Sequence, residues 1–382
     1  MFFPALALPG LACAALVSTG FAQGTNSGTG KTLIDYFLPM PIEGSLVSDV
    51  WGAPGVFPRD PKNGLEDVTM KKWCYWDGQI IKGTDGKYHM FASRWNQARG
   101  HFGWTGSVAV HAVSDNVIGP YVDKGLCWPD NLSGKGHNVT ALVLTDGSYA
   151  ILVSDTRPGD VFVSKSLDGP WKMLGSIRVD ANGFRRPSMQ NLSIMVRPDG
   201  DYMIVPRSGA ILISKDGILG PYKVQGPSIY PQIPGLPGSN LEDPVVWYSG
   251  GLYHIIVNCW NQRKAFHLTS SDGINNWTNR GSAYDPLKDF LRYTDGTLNH
   301  WDKMERPGVL IEDGHVTHFT FAVVDVPKKE ELGNDMHGSK VIVVPFDGAA
   351  LDRDLQSAAD RALKAPQPAV SLGVDSQCRT GL

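Results

Sequence analysis

The sequence lacks any long apolar run beyond its N-terminus. After residue 22 no segment approaches the roughly 20 apolar residues that a membrane-spanning helix needs, so no membrane span is predicted. Charge of one sign is also scarce. The net charge is −3 over 382 residues, which gives no reason to expect a nucleic-acid partner.

The first 30 residues contain no charged side chain. The stretch from Ala5 to Val17 is apolar, and Gly20, Phe21 and Ala22 precede Gln23 with the small residues that a signal peptidase needs. We therefore predict a signal peptide over residues 1–22 and a secreted or periplasmic protein, with one domain over residues 23–382. A lipoprotein cleavage site before Cys13 is the alternative.

Cysteine is scarce as well, with five residues in the whole chain. Four of them follow the predicted cleavage site: Cys74, Cys127, Cys259 and Cys378. Export permits disulfides, and Cys74 and Cys127 flank the first repeat described below, so we predict that they pair. Four buried free thiols are the alternative.

The sequence does contain an internal repeat. Five times a short strand start is followed by an Asp-Gly or Gly-Gly turn and a second apolar strand; the strand starts centre on Asp77, Asn138, Asn191, Asp243 and Arg306. The shortest interval runs from residue 191 to 243 and the longest from 243 to 306. Asp-Gly supplies the positive φ angles of a tight hairpin, so each copy predicts two antiparallel strands.

Most copies continue with a third and a fourth strand, separated by a Ser- or Asp-containing turn and a Gly-Pro-aromatic segment such as Gly119 to Tyr121. Repeats of this length predict the four-stranded blades of a propeller. We predict an all-β, five-bladed β-propeller, monomeric, with a helix over residues 349–365. The fifth copy has three strands, so the segment from Leu33 to Val56 is predicted to supply the missing outer strand and close the ring.

In such a blade the first strand lines the channel and the second runs back antiparallel. Starts of first strands and ends of second strands therefore share one face. Carbohydrate rings stack on tryptophan, and their hydroxyls need many hydrogen-bonding partners; we therefore predict an oligosaccharide ligand. The residues predicted on this face are Asp77, Arg94, Trp95, His137, Asn138, Asp155, Arg157, Gln190, Asn191, Arg207, Glu242, Asp243, Trp260, Glu305 and Arg306.

Three arginines occupy matching positions in successive blades: Arg94, Arg157 and Arg207. Arginine suits bidentate binding of a carboxylate, so the sugar could be a uronate. The alternative is that these arginines brace neighbouring carboxylates.

Carboxylates on this face are candidates for catalysis. Glycoside hydrolysis needs a general acid and a base or nucleophile, and we predict these roles for Asp77 together with Glu242 or Asp243. Each could instead be a structural charge, and Glu305 could pair with Arg306. A calcium ion could lie between Asp77 and Asp243, but no ligand spacing resembles a calcium loop, so no cofactor or metal site is predicted.

Two histidines suggest a second chemistry. His137 begins the second inner strand, and His101 lies in a Gly-rich loop. A histidine near arginines that neutralise a uronate could remove the C5 proton and cause β-elimination. We keep His137 as a catalytic candidate and His101 as a substrate-binding one.

The segment from Trp76 to Ile80, the sequence Glu242-Asp243-Pro244 and the repeated Gly-Pro-Trp/Tyr turns resemble the five-bladed glycosidases of glycoside hydrolase family 43 and its relatives. The resemblance covers nearly the whole mature chain and implies that Asp77 is a catalytic base. Where the family has a pKa-tuning Asp and an acid Glu, this chain has Asn138 and Asn191. Either Glu242 takes over as acid, or the chemistry differs.

Three functions remain open. The first is a secreted glycoside hydrolase acting on oligosaccharides from plant or algal polysaccharides. The second is a polysaccharide lyase, because the face also resembles propeller enzymes that cleave rhamnose from glucuronate with histidine and arginine. The third is a non-catalytic sugar-binding propeller.

Overall fold

A computed structural model describes residues 30–48, 58–69, 71–333 and 337–364. Five antiparallel sheets follow one another along the chain, one for each sequence repeat. The predicted five-bladed β-propeller is therefore confirmed. The predicted signal peptide, the lipoprotein alternative and Cys378 lie outside the described residues.

Each blade is built from strands in simple up-and-down order. The strands of blade I are β1 (Trp73–Lys82), β2 (Tyr88–Asn96), β3 (Val108–Ser114) and β4 (Val122–Leu126). Those of blade II are β5 (His137–Val143), β6 (Tyr149–Asp155), β7 (Asp160–Ser164) and β8 (Lys172–Ser176). A short strand, β9 (Val179–Asp180), leads into blade III and pairs in parallel with its outermost strand.

Blade III contains β10 (Ser193–Val196), β11 (Tyr202–Val205), β12 (Leu212–Ser214) and β13 (Tyr222–Val224). Blade IV contains β14 (Leu241–Ser249), β15 (Leu252–Cys259), β16 (Lys264–Ser270) and β17 (Thr278–Tyr284). Blade V has three strands, β18 (Lys303–Glu312), β19 (His315–Val324) and β20 (Ser339–Pro345), and the helix α1 (Gly348–Lys364) follows. The fifth copy and its helix are thus as predicted.

The hydrophobic core is divided among the five gaps between neighbouring blades. Each gap holds its own cluster of buried side chains, such as Phe91 with Ile151 between blades I and II, or Trp247 with Phe319 between blades IV and V. Burial of a side chain of this size contributes about 1.5–3 kcal/mol. Every blade is therefore held by apolar packing on both sides, and the ring closes.

The N-terminal segment lies against the free edge of blade V. Its described residues form a 3₁₀ helix and isolated bridges in place of the predicted outer strand, and residues 49–56 of that prediction lie outside the described residues. Phe37 pairs with Phe346 and Leu65 with Val341, both as isolated bridges, and residues Leu33–Tyr36 form a 3₁₀ helix. Leu33, Tyr36 and Met40 are buried in the core between blades IV and V. The segment closes the ring mainly through side-chain packing, because only single residues of it are hydrogen-bonded to β20.

The predicted disulfide is wrong. Cys74, Cys127 and Cys259 are all free and buried, and burial raises the pKa of each thiol above its ordinary value. The free-thiol alternative holds for these three residues because the interblade gaps are apolar enough to enclose them. No helix among the described residues is long and apolar enough to cross a membrane.

Candidate functional site

The five repeat residues share an unusual backbone conformation. Their φ angles are positive, from 45° at Asn191 to 67° at Asp77, and strand pairing is interrupted at each of the three bulges next to Asp77, Asp243 and Arg306. Asp and Asn tolerate the left-handed region better than other non-glycine residues. The alternation of acid and amide at these positions therefore reflects a backbone requirement that either residue type meets.

Asp77 is buried at the centre of the ring, with 2% of its surface exposed. One oxygen accepts hydrogen bonds from the Ser93 hydroxyl and from the backbone N–H of Val139 in blade II, at 3.2 Å for the latter. The other accepts from Nε of Arg306 at 3.1 Å. Asp77 thus links blade I to blades II and V.

Asp155, at the end of β6, links blade II to blade III in a similar way. Its Oδ2 accepts a 2.6 Å hydrogen bond from the side chain of Asn138. It also lies 3.3 Å from the backbone and side-chain nitrogens of Asn191 in blade III. The two amides that replace acids in the repeat therefore both donate to this carboxylate.

Three carboxylates converge between blades IV and V. One oxygen each of Glu242, Asp243 and Glu305 lies within 4.8 Å of the others. Glu242 is half-buried, whereas Asp243 and Glu305 are buried. Arg306 reaches Asp243 with Nη1 at 3.5 Å, so its guanidinium bridges Asp77 and Asp243.

Cations surround this carboxylate cluster. Lys303 lies 3.2 Å from one oxygen of Glu305, and Lys328 forms an ion pair with the other. Nη2 of Arg207 lies 3.2 Å from Glu242. Because Lys303, Lys328, Arg207 and Arg306 balance the three carboxylates, the acids can be held together in a buried place.

The environment moves the pKa values of two of these acids in opposite directions. Burial, followed by the charge of Glu305, raises the pKa of Glu242. Burial also acts on Glu305, but Lys328 and Lys303 outweigh it and lower the pKa of Glu305. At a pH between the two values, Glu242 carries a proton and Glu305 is ionised. Acid and base roles are separated in this way in carboxylate enzymes.

The two predicted histidines lie in an aromatic wall beside the carboxylates. The ring of His101 meets Trp76 edge to face at 5.1 Å, and that of His137 lies 4.9 Å from Trp104. Nδ1 of His137 is 2.9 Å from the Ser107 hydroxyl. Burial lowers the pKa of His137 to about 4 and that of His101 well below its usual value. Both rings are therefore neutral at pH 7.

The three predicted arginines do not act together. Arg94 pairs with Asp123 and stacks on Trp73 within blade I. Arg157 pairs with Asp160 at 2.8 Å within blade II. The bracing alternative is thus what the structure shows for Arg94 and Arg157, because each guanidinium reaches an aspartate of its own blade. Arg207 alone of the three contacts the carboxylate cluster.

The other predicted contact residues differ in exposure. Trp260 is 42% exposed and Gln190 is also exposed, whereas Trp95 is buried and donates from its indole N–H to the carbonyl of Gly100. Phe102, which follows His101, is 63% exposed. Trp260 and Phe102 therefore offer aromatic faces to a ligand, and Trp95 supports the wall from behind.

Sequence reasoning missed two members of the site, Lys303 and Lys328. Lys303 had a usable signal, because residues two apart on a strand point to the same side and Glu305 is its neighbour at that spacing. Asp155 is predicted on this face but without a role. Lys328 had no signal, since it lies in the irregular connection between β19 and β20.

The arrangement does not favour the calcium ion that the sequence allowed between Asp77 and Asp243. The Arg306 guanidinium bridges these two carboxylates and already supplies positive charge there. A calcium site needs six to eight oxygen ligands, and a neighbouring guanidinium would repel the ion.

No protein-family model and no curated protein matches the sequence. Solved structures of similar fold include a family 43 β-xylosidase/α-arabinofuranosidase from a compost microbial metagenome, at 14% identity and a TM-score of 0.48, covering 74% of this chain and 94% of that chain. An α-L-arabinofuranosidase from Clostridium thermocellum has 13% identity and a TM-score of 0.47, with 71% and 89% covered.

A family 117 glycoside hydrolase from the marine bacterium Zobellia galactanivorans has 14% identity and a TM-score of 0.48, and the match covers 75% of this chain and 88% of that chain. These neighbours include the family that the sequence motifs resemble. At such identities and TM-scores the likeness carries neither activity nor substrate over to this chain.

Proposed function

We propose that the protein is a glycoside hydrolase that cleaves oligosaccharides derived from plant or algal polysaccharides. The observation that carries the proposal is the pair Glu242 and Glu305: two carboxylates within 4.8 Å of each other whose pKa values are moved apart. The predicted signal peptide and export of the protein belong to this proposal.

In this mechanism Glu242 is the general acid. Its carboxyl group is half-buried and protonated, and it donates its proton to the glycosidic oxygen as that bond breaks. Glu305 is the ionised partner that attacks the anomeric carbon of the sugar. Water then releases the sugar, with Glu242 acting as base. Retaining glycosidases have their two carboxyl groups about 5–5.5 Å apart, so we expect retention of configuration.

Asp77, which the sequence predicts as the base, has a different role in this proposal. Its hydrogen bonds with Val139 and Arg306 join blade I to blades II and V, and among the described residues no second carboxylate forms a pair with it as Glu242 does with Glu305. It orients Arg306, which in turn fixes Asp243 beside the two glutamates. Asp77→Asn should therefore reduce stability as well as activity, whereas Glu242→Gln should reduce activity alone.

The test is hydrolysis of a panel of neutral and uronate-containing oligosaccharides, measured by reducing-end release. Loss of general acid catalysis costs about 10²–10⁴-fold in kcat, so we expect that loss in Glu242→Gln. The matched control is Glu312→Gln, a glutamate at the opposite end of β18 that pairs with Lys82. Full activity in Glu242→Gln would contradict the proposal.

The pH profile gives a second readout. Activity should fall as the pH rises through the raised pKa of Glu242, because the acid loses its proton. It should also fall as the pH drops through the lowered pKa of Glu305. The pH profile of activity is therefore bell-shaped. Glu242→Gln should lose the fall in activity on the alkaline side and keep the fall on the acidic side. An unchanged fall on the alkaline side in that variant would show that another group is the acid.

One observation favours a uronate lyase as second candidate. His137 is neutral and therefore able to accept a proton, and Lys328, whose charge acts on His137, provides a cation for a uronate carboxylate. A lyase forms an unsaturated product that absorbs in the ultraviolet. A rise in absorbance that His137→Gln abolishes and Glu242→Gln does not would replace the first proposal with this one. Binding without turnover across the panel would indicate a sugar-binding protein.

A further inference from the structure

Blade I contains a pair of histidines outside the carboxylate cluster. His89 on β2 and His111 on β3 lie on neighbouring strands. His89 pairs across the strands with Val113, so His111 is its diagonal neighbour, two residues before Val113. Nδ1 of His89 is 2.8 Å from Nε2 of His111, and the two rings are parallel within 6°. Two carboxylates extend the pair: Asp85 beside His89, and Asp168 of blade II beside His111.

The hydrogen bonds of this chain decide where the protons lie. An ionised carboxylate only accepts, so Nε2 of His89, 3.3 Å from Asp85, carries the proton of that ring. Nδ1 of His89 is then an acceptor, and Nε2 of His111 must donate to it. Nδ1 of His111 is then left with a bare lone pair, because a neutral imidazole carries its single proton on one nitrogen only.

That lone pair faces a second acceptor. Nδ1 of His111 lies 4.0 Å from Oδ1 of Asp168, too far for a hydrogen bond. A cavity of about 240 Å³ opens at this place and is lined by His111, Asp168, Cys127, Lys124 and others. Two acceptors that face each other beside an open space are stabilised by a cation between them.

We propose that Nδ1 of His111 and the carboxylate of Asp168 bind a divalent transition-metal ion at the junction of blades I and II. Imidazole with carboxylate suits Zn²⁺, Cu²⁺ or Ni²⁺. Zinc bonds to nitrogen and oxygen measure about 2.0–2.2 Å, so a small rotation of the exposed Asp168 side chain from its 4.0 Å separation toward His111 lets one ion bind both groups. His89 and Asp85 orient the ring of His111, as outer hydrogen-bond partners do in metal sites.

Blade IV provides an internal comparison. His254 and His267 occupy the same diagonal on β15 and β16, with 2.9 Å between Nδ1 and Nε2 and rings parallel within 8°. There the outer nitrogen of His254 meets the carbonyl of Ser249 at 3.2 Å, and among the described residues no carboxylate lies within ion-pair distance of either ring. A stacked histidine pair is thus part of the packing of both blades. Aspartates, Asp85 and Asp168, lie beside the pair of blade I.

The metal site is independent of the proposed hydrolase activity. It lies on the middle and outer part of blades I and II, whereas the carboxylate cluster lies between blades IV and V. An ion bound to both β3 and the turn of blade II joins two blades, so it should stabilise the fold. Lys124 is exposed and lines the same cavity, where its ammonium group competes with the ion for Asp168.

The test is calorimetric titration of untagged, chelator-treated protein with Zn²⁺ and with Ni²⁺ at pH 7, together with thermal unfolding. We expect one equivalent of metal to bind and the Tm to rise. Asp168→Asn removes an exposed ligand without disturbing the core, and it should weaken binding at least tenfold. Lys124→Gln should strengthen binding. The control is Asp115→Asn, another exposed aspartate on blade I, which should leave binding unchanged.

His111→Ala should abolish binding, but this residue is buried and its variant has to be checked for folding by circular dichroism. The proposal fails if the parent protein binds neither ion. It also fails if Asp168→Asn binds metal as tightly as the parent and the control Asp115→Asn do. Equal loss in both aspartate variants would indicate general surface charge rather than this site, and would overturn the proposal as well.

Discussion

Arg306 is the residue of the inner ring whose type fits its backbone least. Its φ angle is 47°, in a region that favours glycine, asparagine and aspartate over a long side chain. The guanidinium offsets this cost by pairing with Asp77 and Asp243. The fifth repeat therefore carries a cation where the first and fourth carry acids, and one charged triad spans three blades.

Removal of this guanidinium should be costly. Arg306→Ala leaves Asp77 and Asp243 buried without their shared partner, and breaking a buried ion pair in this way costs about 3–5 kcal/mol. Urea unfolding followed by tryptophan fluorescence measures the loss. Lys82→Ala, which removes an exposed pair with Glu312, should leave the free energy of unfolding nearly unchanged. An equally small effect of Arg306→Ala would show that the triad is not needed for stability.

At the scale of the element, a left-handed residue at the start of the inner strand is the property that all five blades share. In blades I, IV and V it accompanies a break in strand pairing, and in blade III its backbone N–H binds the carboxylate of Asp155. The left-handed residue thus connects a local conformation to the contact between blades. This explains why acids and amides interchange along the repeat although their charges differ.

Substitutions at Asn191 test the left-handed conformation. Its φ angle of 45° suits glycine, whereas a β-branched side chain in this region costs about 1–2 kcal/mol in backbone strain. Both Asn191→Gly and Asn191→Val lose the side-chain hydrogen bond to Asp155. The valine variant should therefore be the less stable by roughly that strain, as measured by urea unfolding. Equal stability of the two variants would mean that the backbone leaves the left-handed region.

The His254 and His267 pair makes blade IV sensitive to acid. Burial lowers the pKa of His254 to about 4, below its ordinary value of about 6.5, so the fold favours the neutral ring. The neutral ring of His254 costs no stability at a pH above its pKa in the unfolded chain. As the pH falls toward its pKa in the folded protein, the unfolded chain takes up a proton more readily than the folded one, and stability is lost. Between pH 7 and pH 5 the loss is about 2 kcal/mol from this group.

His254→Asn should therefore be less stable than the parent at pH 7 but should lose less stability on acidification. The measurement is urea unfolding at pH 7 and pH 5 for both proteins. Lys215→Gln, a change at an exposed residue of blade III, serves as control and should keep the pH dependence of the parent. If His254→Asn also keeps it, His254 is not one of the groups responsible.

At the scale of the whole molecule, the ring closes where residues 58–66 meet blade V. Glu66 accepts from Arg59 at 2.6 Å and pairs with Lys340 on β20, and all three side chains are buried. Leu65 adds the backbone bridge to Val341. The N-terminal segment is thus joined to blade V by charge and by packing, and its described residues pair with blade V through isolated bridges.

Glu66→Gln should weaken this closure. Two buried cations lose their counter-charge, and the expected cost is about 3–5 kcal/mol. Because each blade packs on both neighbours, we expect one cooperative transition at a lower urea concentration, with fluorescence and circular dichroism coincident. Glu312→Gln should unfold like the parent. An early, separate transition in Glu66→Gln would show that the N-terminal segment detaches while the ring remains folded.

The sequence by itself determined the number of blades, the order of their strands and the C-terminal helix. These features depend on local rules, namely Asp-Gly hairpins, strand alternation and a repeated interval, and each can be seen within a few tens of residues. The face shared by Asp77, Glu242, Asp243 and Arg306 followed from the same rules, because the direction of each strand fixes the face on which its ends lie.

Only the tertiary structure decided which charged groups meet. Arg94 and Arg157 matched Arg207 by position, yet their side chains reach aspartates of their own blades. Cys74 and Cys127 remain free thiols, and Lys328 comes to Glu305 from an irregular connection. Side-chain directions and long-range loop paths depend on packing and charge across the ring. They are fixed by contacts between residues far apart in the sequence, which no local pattern encodes.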